Sequence, residues 1–268
     1  MTDKMRLHKA IALTGIASRR KAEILISEGR VRLNNKIVTR QGIVVDPSKD
    51  KIEVFGKKLD FKITEKIYFL LNKPKDCVTS VKDPHNKKTV MHLLPKIKGL
   101  FPVGRLDKDT TGLLLITNDG DLAYRLTHPK FNVFKVYNVT VKPETTNNAQ
   151  GRGGLNLPYL VDKVKLLEKG IVIDNKKTAP CKTKIAGAVP ASARTGLWPQ
   201  KQATIQITIH EGRKRQVKRM FEAIGYKVLE LDRVEYAGLK NDIKLGTYRE
   251  LSKKEIEKLH SITRHCKE

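Results

Sequence analysis

Gly104-Arg105-Leu106-Asp107-Lys108-Asp109-Thr110-Thr111-Gly112 runs straight into Leu113-Leu114-Leu115-Ile116-Thr117 and the turn Asn118-Asp119-Gly120. Leu100, Phe101 and Val103 lead into it. A polar loop with two carboxylates is thus held between apolar segments, and the chain returns as a solidly apolar strand. Loops set on buried strands are where rigid scaffolds present reactive groups. On pattern alone the stretch also reads as an ordinary hairpin whose aspartates cap turns, because Asp bonds readily to nearby backbone.

Downstream, Asp121 offers a cap for a helix through Leu122, Ala123 and Leu126, stopped by His128-Pro129. Lys135 to Val141 has strand composition, with Tyr137, Val139 and Val141 on one face. Ile205, Ile207 and Ile209 alternate as a further strand. After the turn His210-Glu211-Gly212 come Arg213-Lys214-Arg215-Gln216-Val217-Lys218-Arg219. Val217, Met220, Phe221 and Ile224 keep helical spacing, and Lys218 falls roughly 100° from Val217, on the flank of the buried stripe. Lys214 and Arg219 read as a solvated face. Ser252 and Glu255 form a capping box for a last helix. Gly151–Gly154 reads as a loop, and 186–200, with the single Trp198, as an insertion; Trp198 either packs or stacks on a base.

Upstream, Ile67 to Leu71 is an apolar strand broken by Asn72-Lys73-Pro74-Lys75, with Lys73 either on substrate or, as the preferred reading, in solvent. Leu7, Ala10, Ile11 and Thr14 have helical spacing, with Gly15 as the stop. Ser18 is a good N-cap for a second helix with Ala22, Leu25 and Ile26 inside. Arg19, Arg20 and Lys21 occupy its first turn, where cations oppose the helix dipole. They are poorly placed for stability and well placed for phosphate.

The chain has 268 residues and a formal net charge of +26. Self-repulsion of that size is relieved by a polyanion, and nucleic acid is the expected one. Residues 1–63 alone carry 15 Lys and Arg against 7 Asp and Glu. No apolar run is long enough for a transmembrane helix, and the start lacks the apolar core of a signal peptide. Cys77, Cys181 and Cys266 fit neither a disulfide framework nor a zinc spacing. A reducing cytoplasm is the expected compartment. The seven histidines are scattered without an H-x-x-x-H pair, so no metal is expected.

G-R-L-D-x-D-T-x-G-L-L followed by T-N-D-G resembles the central motif of the pseudouridine synthases, in the branch that modifies ribosomal RNA. L-N-K-P-K at 71–75, K-V-Y at 135–137, E-G-R-x-R-Q-V-K-R-M at 211–220 and G-T-Y-R-E-L at 246–251 extend the likeness. The helix–helix–strand start with G-x-V-x-x-N resembles the S4 RNA-binding domain. The implied architecture is α+β: an S4-like domain over 1–63, then a catalytic domain over 64–268 with a mixed, largely antiparallel sheet and flanking helices. The resemblance makes Asp107 the catalytic carboxylate, stacks Tyr137 on the target base and pairs Lys218 with Asp107. Arg105 would fill the gap left by a flipped uridine. Arg19, Arg20, Lys21, Arg213 and Arg215 are expected on RNA. E-G-R-x-R-Q at 211–216 and the V-x-D-P segment look closer to the large-subunit branch than to the small-subunit one.

Isomerising uridine to pseudouridine moves the sugar from N1 to C5 of the base. No redox change occurs and no group is lost, so no cofactor is expected. The expected partner is ribosomal RNA or an assembling subunit, met by a monomer. Asp109 reads as a structural residue bonding its own loop, since carboxylates two apart rarely flank one bond at a glycosidase separation. The competing class is a non-catalytic RNA-binding assembly factor on the same scaffold; only the Asp107, Tyr137 and Lys218 set favours the enzyme.

Overall fold

The computed structural model describes residues 4–61, 65–85, 88–144, 157–186 and 202–263. Gly151–Gly154, Trp198 and all of the expected insertion except Ala186 lie outside the described residues. The chain divides into two compact units, Met1–Ile67 with Lys96–Phe101, and Tyr68–Pro95 with Pro102–Glu268.

In the smaller unit, α1 (Leu7–Leu13) and α2 (Arg19–Ser27) form where the periodicity places them. The Ser18 side chain accepts from the Lys21 N–H, which satisfies one of the donors a helix start leaves open. One sheet follows, of four short strands, β1 (Val31–Leu33), β2 (Lys36–Val38), β3 (Ile52–Val54) and β4 (Lys57–Lys58), in the antiparallel order β2-β1-β3-β4. Leu7, Ile11, Leu25, Ile26, Val31 and Ile52 close one core between helices and sheet. Fully burying side chains of this size contributes about 1.5–3 kcal/mol each.

The larger unit is built on β5 (Tyr68–Lys73), β6 (Thr111–Thr117), β7 (Lys135–Pro143), the hairpin β8 (Val172–Ile173) and β9 (Lys176–Lys177), β10 (Lys182–Ala186), β11 (Ala203–Ile209), β12 (Tyr226–Tyr236) and β13 (Tyr248–Glu250). Its main sheet runs β10-β11-β7-β12-β6-β5-β13. Every pairing on this path is antiparallel except β12 with β6. The helices are α3 (Gly120–Thr127), α4 (Leu157–Glu168), α5 (Gln216–Ala223) and α6 (Lys253–Ile262). Leu113 to Ile116 are all inaccessible, so β6 is buried on both faces, which is why it reads as a continuous apolar run rather than an alternating one.

Three expectations need correction. β5 continues through Asn72 and Lys73, because the ladder to β6 reaches Lys73↔Gly112 before Pro74 ends it. The cap of α3 is Asp119, whose carboxylate accepts from the N–H groups of Asp121 and Leu122; Asp121 lies inside the first turn. Lys73 is not solvated but wholly inaccessible.

The parallel crossing of β6 and β12 fixes the site. Asp232 pairs with Thr111 and Arg233 with Gly112. A Cβ on Gly112 would lie 2.4 Å from the backbone N and O of Arg233, and its φ is +106°. Only glycine lets the two backbones approach this closely.

Candidate active site

The loop from Arg105 to Thr110 enters β6 at that crossing, and its backbone is tied down from below. Lys73 Nζ donates to the carbonyls of Pro74 (2.9 Å), Lys108 (3.2 Å) and Thr110 (2.8 Å). The Asp76 N–H also donates to the Lys108 carbonyl, at 2.9 Å. Thr79 Oγ1 donates to the Leu106 carbonyl and accepts from the Leu106 N–H. The Thr110 N–H closes the turn on the Asp107 carbonyl. A buried ammonium is costly unless its protons find partners; here three carbonyls of the loop and its base supply them. Burial pushes the Lys73 ammonium down to about 8, against the pull of the Cys77 sulfur and the carboxylates of Asp109, Asp107 and Asp76.

From the other side, α5 supplies Lys218. The side chain is buried, and its ammonium donates to Asp109 Oδ2 at 2.5 Å. The resemblance paired Lys218 with Asp107; in the structure its partner is Asp109. Partial burial works to raise the Asp109 carboxyl, but the Lys218 hydrogen bond and charge outweigh it and hold the carboxyl below its usual range. Asp109 therefore joins the loop to α5, a larger task than the local backbone bonding expected of it. Asp107 is left half-buried, with its carbonyl in the turn.

Tyr137 on β7 stands in the same sheet row. It pairs with Arg233, which pairs in turn with Gly112, so Tyr137 lies two strands, roughly 10 Å, from the start of β6. The ring is 7 % exposed. Lys135, the first residue of K-V-Y, donates to the carbonyls of Val133 and His210. Burial, then repulsion from Arg233, pushes its ammonium down to about 8. Arg233 itself is buried, donates from Nε to the Leu113 carbonyl at 2.6 Å and lies over the Tyr236 ring.

The cations expected on RNA divide. Arg19, Arg20 and Lys21 are exposed, as is Arg105. Arg213 is turned inward: its guanidinium donates to the Lys176 and Lys177 carbonyls of the β8–β9 hairpin and pairs with Glu211. Arg219, expected in solvent, pairs with Asp174 of the same hairpin and donates to the Lys214 carbonyl. Buried Gln216 accepts from the Arg213 N–H and donates to Glu211. Arg215 remains exposed, 3.9 Å from Glu222, in a left-handed conformation with φ 52°. Lys73 and Asp109, read from the sequence as solvated and as bonding their own loop, and Gln216 and Glu211, which received no role, are the site residues that sequence reasoning missed. Each is a polar residue inside a quoted motif, and that was the available signal. Among the described residues no cluster of three or more His, Cys, Asp and Glu side chains could hold a metal ion.

A family model described as RNA pseudouridylate synthase matches residues 67–223, more than half of the chain. The chain belongs to the RNA pseudouridylate synthase family. An S4 domain model matches residues 5–51. The ribosomal large subunit pseudouridine synthase B of Bacillus subtilis is 43% identical over 265 residues, covering 98% of both chains. An uncharacterized RNA pseudouridine synthase of Aquifex aeolicus is 36% identical, over 96% of this chain and 94% of that one. A crystal structure of a pseudouridylate synthase superposes with a TM-score of 0.60 at 31% identity, over 95% of this chain and 99% of that one. The S4-then-synthase order, the α+β class and the mixed sheet expected from the motifs all stand. Among the described residues no helix is long and apolar enough to cross a membrane.

Proposed function

We propose that the enzyme converts a uridine of large-subunit ribosomal RNA to pseudouridine, with Asp107 as the catalytic carboxylate. The observation that carries this reading is the loop itself. Its backbone is clamped by Lys73, Asp76 and Thr79, and Asp109 is engaged by Lys218. Asp107 is the carboxylate of the loop that remains for chemistry. Preorganisation of this kind is what a positioned reacting group needs. The large-subunit target rests on the relative that is 43% identical over nearly the whole chain.

In the reaction, the bond from N1 of uracil to the sugar breaks, the base turns over, C5 joins the sugar, the C5 proton leaves to solvent and N1 takes up a proton in its place. Asp107 acts on the sugar or base. Lys218 serves as a positioning residue through Asp109, Tyr137 offers an aromatic surface to the base, and Arg105 fills the vacated stack. Extruding the uridine costs a few kcal/mol, which phosphate contacts from Arg19, Arg20, Lys21 and Arg215 offset. The setting is the cytoplasm, where ribosomal RNA is assembled.

The test uses unmodified transcripts of large- and small-subunit ribosomal RNA, with pseudouridine mapped by carbodiimide-dependent reverse-transcription stops. One new stop in the large-subunit RNA is expected. A stop confined to the small-subunit RNA would overturn the target, and none in either RNA or in immature subunits would favour a binding factor.

A further inference from the structure

The loop has a neighbour in α3 that the reaction above leaves unused. Helix α3 buries Leu122, Ala123 and Leu126, which complete its core face. Tyr124, on the other side, is 50% exposed. His128 ends the helix, and the turn Pro129–Phe131, closed by Asn132 at φ 47°, folds Phe131 back over the same surface. The Tyr124 and Phe131 ring centroids are 6.0 Å apart and nearly perpendicular; His128 lies 5.0 Å from Tyr124. Lys130 Nζ sits 4.8 Å from the Phe131 centroid and 5.7 Å from that of Tyr124. The helix that carries the cluster meets the start of the loop: a Cβ on Gly104 would lie 3.7 Å from Cγ2 of Thr127, the last residue of α3. Gly104 immediately precedes Arg105.

We propose that Tyr124, His128 and Phe131, with Lys130, form a stacking subsite for an unpaired nucleotide of the substrate RNA that neighbours the target uridine. The inference rests on the RNA-modifying reading and adds a second base contact to it. Edge-to-face packing keeps the two rings from closing on each other, and Tyr124 stays half exposed with Lys130 over both rings. An exposed ring face beside a cation is the combination with which proteins hold single-stranded nucleic acid: the ring takes the base and the cation the phosphate. The position supports the same occupant. Extruding one uridine unstacks its neighbours, and an aromatic platform on the helix that meets the loop would take up one of them. The net charge of +26 favours RNA over a protein surface here.

The wild-type full-length protein is crosslinked at 254 nm to in vitro-transcribed large-subunit ribosomal RNA, and crosslinked peptides are identified. Dissociation constants for the same RNA are measured for Tyr124→Ala, Tyr124→Phe and Phe131→Ala. A crosslink within 120–132 is expected. Tyr124→Ala should weaken binding about tenfold, equivalent to about 1.4 kcal/mol, and Tyr124→Phe should stay within about twofold of wild type. Wild-type affinity in both alanine variants, with no crosslink in this segment, would overturn the proposal. Weaker binding to precursor subunits but not to free RNA would also overturn it, in favour of a docked ribosomal protein. The crosslink is read on wild-type protein, so it decides the matter even if a variant fails to fold. Crosslinking without isomerisation would refute the proposed reaction and leave the subsite standing.

Discussion

Arg19, Arg20 and Lys21 at the start of α2 face solvent, whereas Arg213, Lys218 and Arg219 around α5 are turned into the protein. The two stretches look alike in composition. The difference lies in what the fold brings to them. The first turn of α2 has no acidic residue, and among the described residues no ion pair engages the three cations. The stretch around α5 meets the β8–β9 hairpin, Glu211 and the 105–110 loop, so its cations become ties between segments distant in the chain. A basic run is therefore left in solvent in one place and built into an internal scaffold in the other. Lys73 extends the second class to a single lysine beneath the loop.

The sharpest way to break this contrast is Lys218→Met. Loss of the Asp109 tie should lower turnover about 100-fold or more, as small misplacements of a reacting group do, with RNA affinity unchanged. Asp109→Asn should reproduce most of the loss if Lys218 acts through Asp109. Wild-type turnover in both would show that the inward cations do nothing for the site.

Lys73→Met comes next, read by chemical denaturation. Leaving buried carbonyls without their donor should cost on the order of 2–4 kcal/mol. The pH dependence has a definite sign. The folded Lys73 titrates near 8, below its ordinary 10.5, so between these values the unfolded chain holds more protons. Wild-type stability then rises with pH relative to the Met variant, and the gap widens by up to about 3 kcal/mol. A gap that narrows over this window would contradict the buried, burial-depressed ammonium.

Arg213→Ala should destabilise by about 1–2 kcal/mol, because the hairpin carbonyls lose their donors, while the salt dependence of RNA binding stays as in wild type. Removing Arg19, Arg20 and Lys21 together should do the reverse. Stability should stay within about 0.5 kcal/mol, and the slope of log affinity against log salt should become shallower by roughly 2–3. If Arg213→Ala changes the slope and the triple variant does not, the assignment of the two clusters is inverted.

Much of this fold was legible from local rules. The α1 and α2 spacing, the Ser18 cap, the Ser252–Glu255 box and the alternation on β7 and β11 are decided within a few residues, and the structure keeps them. What local reading missed depends on partners far along the chain. The Gly112 crossing depends on Arg233, the Lys73 clamp on Lys108 and Thr110, and the Arg213 contacts on Lys176 and Lys177. Asp119 and Asp121 could both have capped α3; the extended backbone at 119, with its carboxylate held by the Tyr68 hydroxyl, decided between them. Asp109 was underrated for the same reason, since Lys218 lies 109 residues away.

If Asp107 performs the chemistry while the cations around it bind and position, one atom of the uridine reports it. Tritium placed at C5 of uridine in unmodified large-subunit ribosomal RNA is released to water only when C5 exchanges its hydrogen for the sugar. Wild-type protein should release it, and Asp107→Asn should release none while binding the RNA with wild-type affinity. Equal release by both proteins would contradict the account.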